Sequence, residues 1–398
     1  MNWTTRLYIY TFCIYFTASS YTMIVPFLPL YLLELGATSQ NVTFWGAIVF
    51  AISFLIGGTM APVWGKLSDI KGKKSMAVRS SIMLTIAYSS GAIVTSPLQL
   101  FFMRVMQGFA NGYLPTVLSI VASIAPPKKI GMALGYIQAA NLAGTVSGPL
   151  IGGILASVFS LRLTFVIAGA FLTFVSIINI FMPKDENEVH APSHASSIFA
   201  DIKFSLKTTK ICELLVITFA YSMLIIAIQS ILPLFIEGLE GHDGKVALYS
   251  GIICSAPPLI GAFLAPLWGL LGQSKGFLLA LALTAIGSGF FLFLQGFSNT
   301  VITLLVLSCA MGLFLFGVNP SVNAALSEAT DIAFRGRGFG VLTMAGQYGS
   351  MLGPMVATAV TYVFDLSSIF YLSGLGFISI GIYALIRHKE RFLKRRIQ

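Results

Sequence analysis

The chain has 398 residues, 56% of them hydrophobic and only 10% charged, with a mean hydropathy of +0.87. Soluble domains carry about 25% charged residues, so a water-facing surface of this size cannot be covered, which excludes a soluble enzyme, a nucleic-acid binder and a disordered scaffold. The formal charge of +10 takes its meaning from where the charges sit. Cys13, Cys212, Cys254 and Cys309 lie in or at the ends of apolar stretches, without a CxxC spacing or a disulfide framework. The first apolar run, 7–33, is longer than a signal h-region and lacks a small-residue cleavage site, so it reads as a membrane span.

Charged residues punctuate the chain because a bare charge at the bilayer centre costs several kcal/mol. The uncharged stretches are 7–33, 35–65, 80–103, 105–127, 130–161, 163–183, 214–236, 246–274, 276–327, 338–364 and 366–386. A spanning helix takes about 20 apolar residues. Each stretch therefore holds one span, except 276–327, which holds two with a break near Gln295–Asn299. The expected fold is all-α, with twelve transmembrane helices. Open strands are excluded by unsatisfied backbone groups in lipid, and the alternation of a barrel is missing.

Orientation follows from lysine and arginine. Only Arg162 and Lys245 fall on one side and Arg104 inside a span, leaving 21 of the 24 basic residues on the other side, with Arg79 counted in the 66–79 loop. Both termini are expected in the cytoplasm, and the basic tail is read as an orientation and anionic-lipid signal. A polar stretch from Pro183 to Lys210 divides the chain into an N-terminal six-helix bundle (1–183), a cytoplasmic linker (184–210), a C-terminal six-helix bundle (211–388) and a tail (389–398). The halves repeat at a shift of 204: Ala61-Pro-Val-Trp-Gly65 aligns with Ala265-Pro-Leu-Trp-Gly269, and Lys71-Gly72 with Lys275-Gly276. One residue later, Gly148-Pro149 matches Gly353-Pro354. Parallel repeats of six spans are the layout of a two-bundle transporter with substrate bound between the halves.

Three motifs fall in order. Gly65-Lys-Leu-Ser-Asp69-Ile-Lys-Gly72-Lys73-Lys74 lies between spans two and three, Arg104-Val-Met-Gln107-Gly108 in span four, and Gly144-Thr-Val-Ser-Gly148-Pro149-Leu-Ile-Gly152-Gly153 in span five. They resemble signatures of the major facilitator superfamily, namely its cytoplasmic loop, its fourth-helix R-x-x-Q-G and its antiporter glycine-proline motif. Val25-Pro-Phe-Leu-Pro-Leu-Tyr31, Pro62-Val-Trp-Gly65 and Asn111-Gly-Tyr-Leu-Pro115 are similar to its twelve-helix drug:proton antiporters, in particular the MdtG branch. The chain departs at Asp69-Ile70, where relatives carry Asp-Arg. It also lacks an acid at the end of span four and carries Glu328 and Asp331 at the related end of span ten.

The resemblance implies a secondary active exporter of hydrophobic or amphiphilic small molecules, exchanging them for protons by alternating access in a bacterial plasma membrane. Export of one endogenous metabolite, such as a siderophore, is the alternative. Coupling and conformational residues are expected to be Gly65, Asp69, Gly72, Lys73, Arg104, Glu34, Gly148 and Pro149. Arg104 is the basic residue well inside a span; it calls for a partner. Glu34 at the outer end of span one is the nearest acid if spans one and four are neighbours, with backbone carbonyls and polar side chains as the competing reading. The spans that line the cavity in this family contribute Tyr21, Asn111, Tyr113, Gln138, Asn141, Tyr221, Gln229, Asn319, Asn323 and Gln347, and Arg104 joins them as a candidate substrate contact. Pro29, Pro115, Pro233, Pro257, Pro258 and Pro320 are expected to kink spans. No phosphate-binding loop occurs, so no cofactor is expected and the proton gradient supplies the energy. His190 and His194 read as solvated loop residues rather than a metal site. The expected partners are the small-molecule substrate, protons and the lipid bilayer, with no nucleic acid, and the chain is expected to act as a monomer.

Overall fold

The computed structural model describes residues 2–38, 41–126, 129–183, 198–240 and 245–397; His190 and His194 lie outside them. Among the described residues the chain is helical throughout, with no strand: α1 (Trp3–Thr22), a 3-10 turn (Val25–Phe27), α2 (Leu28–Glu34), α3 (Val42–Lys71), α4 (Lys73–Gly91), α5 (Pro97–Ala110), α6 (Tyr113–Ile124), α7 (Ile130–Val158), α8 (Leu161–Phe181), α9 (Ile198–Lys207), α10 (Thr209–Glu240), α11 (Val246–Lys275), α12 (Phe277–Gln295), α13 (Val301–Leu315), α14 (Val318–Ala329), α15 (Ile332–Val363) and α16 (Ser367–Ile397). Spans one, four and ten are each built from two helices. Nine helical stretches among the described residues are long and apolar enough by composition alone to cross a membrane. The remaining three spans, α4, α5–α6 and α15, are the ones diluted by Arg, Ser, Gly, Asn and Gln.

The breaks have local causes. Span one loses α geometry at Val25–Phe27, where Pro26 opens the 3-10 turn and Pro29 opens α2. Span four stops at Asn111 and restarts after Gly112, whose φ of 112° favours glycine, and Pro115 sits in the first turn of α6. Span ten breaks before Gly317, with Pro320 in the first turn of α14. Pro233, Pro257 and Pro258 lie instead inside helices that run on without interruption. One boundary drawn from charge is corrected: Arg79 is not in a loop but two turns inside α4, because Gly72 alone joins α3 to α4. The turn between spans three and four lies at 92–96, and Arg104 is seven residues inside α5, within span four as expected.

The 204-residue repeat is written into the backbone. Gly72 and Gly276 have φ of 88° and 101°, each linking two long helices through one residue. Ser96 and Thr300 both cap the next span, their hydroxyls accepting from Gln99 and Thr303 N–H groups. The chain divides into two compact units, Met1–Ala195 with Gly244–Gly251, and Ser196–Asp243 with Ile252–Gln398. Within the first, α1 packs on α7 and α4 on α8; within the second, α10 packs on α15 and α12 on α16. The first core gathers Leu7, Tyr10, Cys13, Val117, Val121, Ile137 and Val175, and the second Ile211, Leu215, Leu281, Val322, Leu326 and Leu342.

Candidate functional site

Four spans of the first unit converge on Arg104, which is 1% exposed. Its Nε donates to the Val49 carbonyl of α3 at 3.0 Å. One of its Nη atoms donates to the Gln107 side-chain carbonyl one turn on, and Gln107 Nε2 in turn donates to the Tyr88 hydroxyl of α4 at 2.6 Å. The Phe50 ring lies 5.8 Å from the guanidinium carbon, and Tyr21 of α1 stands in electrostatic contact with it. Gly108 makes this approach possible, since a Cβ there would lie 2.7 Å from Ile56 Cβ and 2.9 Å from the Ser53 carbonyl. The R-x-x-Q-G signature thus encodes a cation, its neutral acceptor and the close α3–α5 contact that buries both.

Glu34 is not brought to Arg104. It is exposed at the far end of α2, where its charged neighbour is Arg162, which also approaches Tyr31. The expected pairing fails because Arg104 sits two turns deep in α5, enclosed by Val49, Phe50, Gln107 and Tyr88. Carbonyls and polar side chains hold it instead.

The break in span four is clamped by residues that sequence reading placed elsewhere. Pro115 has no N–H, so the Asn111 carbonyl lacks its helical donor. Arg79 of α4 supplies it, donating to the Asn111 carbonyl at 3.2 Å and to the Phe109 carbonyl at 3.1 Å. Ser80 donates to the Ala110 carbonyl, completing three successive carbonyls at the end of α5. The Trp64 ring lies under the Arg79 guanidinium at 3.6 Å. In the second half, 204 residues on, Trp268 Nε1 itself donates to the Leu313 carbonyl at 2.8 Å. Three carbonyls left without donors around Gly112-Tyr-Leu-Pro115 were the available signal for Arg79.

The glycine-proline motif of span five is a packing face. A Cβ at Gly144 would fall 2.8 Å from Ala18 Cβ, and one at Gly148 would fall 2.7 Å from the Ser19 carbonyl and 3.0 Å from the Met23 nitrogen. Thr22 Oγ1 donates to the Gly144 carbonyl at 3.2 Å across the same contact. Gly349 and Gly353 of α15 press on Phe219, Met223 and Ala227 of α10 in the same way. Pro149 is buried inside α7. In the loop signature, Gly72 makes the positive-φ link, and Lys73 donates to the Ser119 carbonyl of α6 at 3.4 Å. Lys74 donates to the Ile180 carbonyl at the end of α8 at 3.1 Å, a favourable place for a cation. Gly65 and Asp69 are helical in α3, but their side-chain positions lie outside the described residues.

Of the expected binding residues, Tyr221 and Asn319 meet, the amide donating to the hydroxyl at 3.4 Å. Asn111, Gln138 and Asn323 are exposed, while Asn141, Gln229 and Gln347 are half-buried. Tyr113 turns away from these: it is 3% exposed and its hydroxyl accepts from Asn179 Nδ2 of α8 at 2.8 Å, within the core.

Comparison with known proteins agrees with this architecture. The chain is 31% identical over its full length to a multi-drug resistance efflux pump PmrA homolog of Lactococcus lactis, covering 98% of that protein. It is 31% identical to the multidrug resistance protein MdtG of Proteus mirabilis, over 94% of this chain and 93% of that one. Its fold matches the crystal structure of the nucleoside transporter NupG with a TM-score of 0.78 at 14% identity, covering 97% and 99% of the two chains. The family model described as Major Facilitator Superfamily matches residues 7–276 and 246–397, so the paired six-span units, the one-glycine helix links and the buried span-four arginine are those of a member: the chain belongs to the Major Facilitator Superfamily.

Proposed function

We infer that this transporter exports hydrophobic or amphiphilic small molecules and that proton antiport drives it. Support for the substrate class comes from relatives named as multidrug efflux pumps, which match along the whole chain at about 30% identity. The observation that carries the coupling is Arg104, a 1%-exposed cation held by a carbonyl and neutral side chains among the described residues. A low dielectric strengthens the field of a charge lacking a counter-ion, so any proton or charged group entering its surroundings changes the energy of the whole network. Gln107 and Tyr88 carry such a change from α5 to α4, and Val49 to α3. Alternating access then follows if the two conformations differ in what faces Arg104. The excess of basic residues supports cytoplasmic termini. Export of one endogenous anionic product is the second reading, favoured by the same positive charge.

The test is a panel of hydrophobic dyes in everted vesicles with an imposed proton gradient. Gradient-dependent accumulation is expected, and Arg104→Gln abolishes it while dye still binds. If no compound accumulates, multidrug export is wrong and the single-product reading takes its place.

A further inference from the structure

The second unit carries a trough apart from the Arg104 network. It has a volume of about 620 Å³ and lies between α10 and α16, with Leu206 of α9 at one end. On α10 it follows Thr209, Cys212, Val216 and Ala220, and on α16 Ser379, Ile380 and Tyr383. The α10 set recurs at three- and four-residue steps, and Tyr383 follows Ser379 and Ile380 by four and three, so each set is one helix face. From Thr209 to Ala220 the face runs about 16 Å at 1.5 Å per residue. That is half of the roughly 30 Å hydrocarbon thickness, the depth of one leaflet. Val216, Ile217, Ala220 and Ile380 make its apolar part, and its charged lining, Glu213 and Arg387, lies toward the end where α9 joins α10.

At that end Arg387 is occupied on every nitrogen: Nη2 donates to Glu213 at 2.5 Å, Nη1 to Glu390 at 2.9 Å and Nε to the Tyr383 hydroxyl at 3.1 Å. One positive and two negative charges leave a single negative charge in this group. Against it stand Lys203 and Lys207 of α9 and Lys210 at the start of α10, all exposed. Phe204 and Leu206, 51% and 57% exposed, stand among these lysines. Exposed apolar side chains beside lysines on a short helix are the chemistry of a helix lying at the headgroup level. The helix is anchored there by Asp201, 8% exposed, which accepts from Arg337 at 2.8 Å.

We propose that this trough is a binding site for one anionic phospholipid, with an acyl chain along α10 and α16 and the phosphate at Lys207 and Lys210. The length matches one leaflet and the lysine excess sets the sign of the headgroup. Juxtamembrane lysines attract anionic lipid by about 1 kcal/mol each, or roughly fivefold. Two lysines therefore give a preference of about 30-fold over a zwitterionic lipid.

The experiment is native mass spectrometry of the purified full chain with dioleoyl phosphatidylglycerol, and with dioleoyl phosphatidylcholine as the zwitterionic probe. The unaltered protein should retain phosphatidylglycerol adducts at least tenfold more readily. Lys207→Gln with Lys210→Gln should remove that preference and leave phosphatidylcholine binding unchanged; these are exposed side chains, so folding is not at issue. Ala220→Phe, which fills the trough, should reduce adducts of both lipids. Equal retention of the two lipids by the unaltered protein overturns the proposal, as does undiminished phosphatidylglycerol binding by the double variant. Displacement of the lipid by a transported dye also overturns it, by making the trough a substrate site.

Discussion

Gly148→Ala and Gly135→Ala are the same chemical change in the same helix, and the structure predicts opposite outcomes. A Cβ at Gly135 meets nothing within 4 Å, whereas one at Gly148 lies 2.7 Å from the Ser19 carbonyl and 3.0 Å from the Met23 nitrogen. These are backbone atoms of α1 and cannot rotate away, so α1 and α7 must separate. Replacing a mid-helix glycine by alanine gains about 0.5–1 kcal/mol, and this gain is common to both variants. Overpacking a close contact costs about 1–3 kcal/mol, so the difference between the two variants isolates that cost. For a unit of this size 1 kcal/mol shifts Tm by about 2–4 °C, so Gly148→Ala should melt about 2–12 °C below Gly135→Ala. The assay is thermal unfolding in detergent, followed by size exclusion, with dye transport measured alongside. Gly353→Ala should repeat the loss in the second unit, where its Cβ would meet the Met223 carbonyl and, at 2.9 Å, the Ala227 nitrogen. Coincident melting of Gly148→Ala and Gly135→Ala would refute the reading of the motif as a packing face.

Other perturbations follow from the same geometry. Arg104→Lys keeps the charge but cannot hold both Val49 and Gln107 in the planar fork of the guanidinium; it should fold and lose most gradient-driven dye transport, measured in everted vesicles. Arg79→Ala leaves the Phe109 and Asn111 carbonyls without donors at about 1–3 kcal/mol each, and thermal unfolding should show the loss. Trp268→Phe keeps the ring but frees one carbonyl at Leu313, so its loss in the same measurement should be smaller than that of Arg79→Ala. Asp201→Asn weakens a half-exposed ion pair with Arg337 by about 0.2–1 kcal/mol, and limited proteolysis of α9 should quicken without a change in the melting of the core.

Sequence reading succeeded where one residue type makes one demand on its own surroundings. Gly72 and Gly276 are legible as paired turns because a one-residue link between two helices needs positive φ wherever it occurs. Gly144 and Gly148 are contact points where a missing Cβ lets α1 approach α7, while Gly135 in the same helix meets nothing within 4 Å. Charge punctuation misled it at Arg79, which sits inside α4 because its guanidinium group finds carbonyls there, whereas Arg104 lies within span four as expected. Tyr113 was expected among binding residues because it is polar and in span four, yet its hydroxyl belongs to Asn179, 66 positions away.

The sequence by itself determined that the chain lives in a membrane, crosses it twelve times and does so as one six-span plan used twice. These are consequences of hydropathy and backbone geometry, which act residue by residue and survive any arrangement of the helices. Only the tertiary structure decided what Arg104 holds and what holds the broken span four. Val49 is 55 positions from Arg104, and Phe109 is 30 positions from Arg79. Over such distances any of several polar groups satisfies the same hydrogen-bonding demand, and the packing of the helices selects which one is within reach.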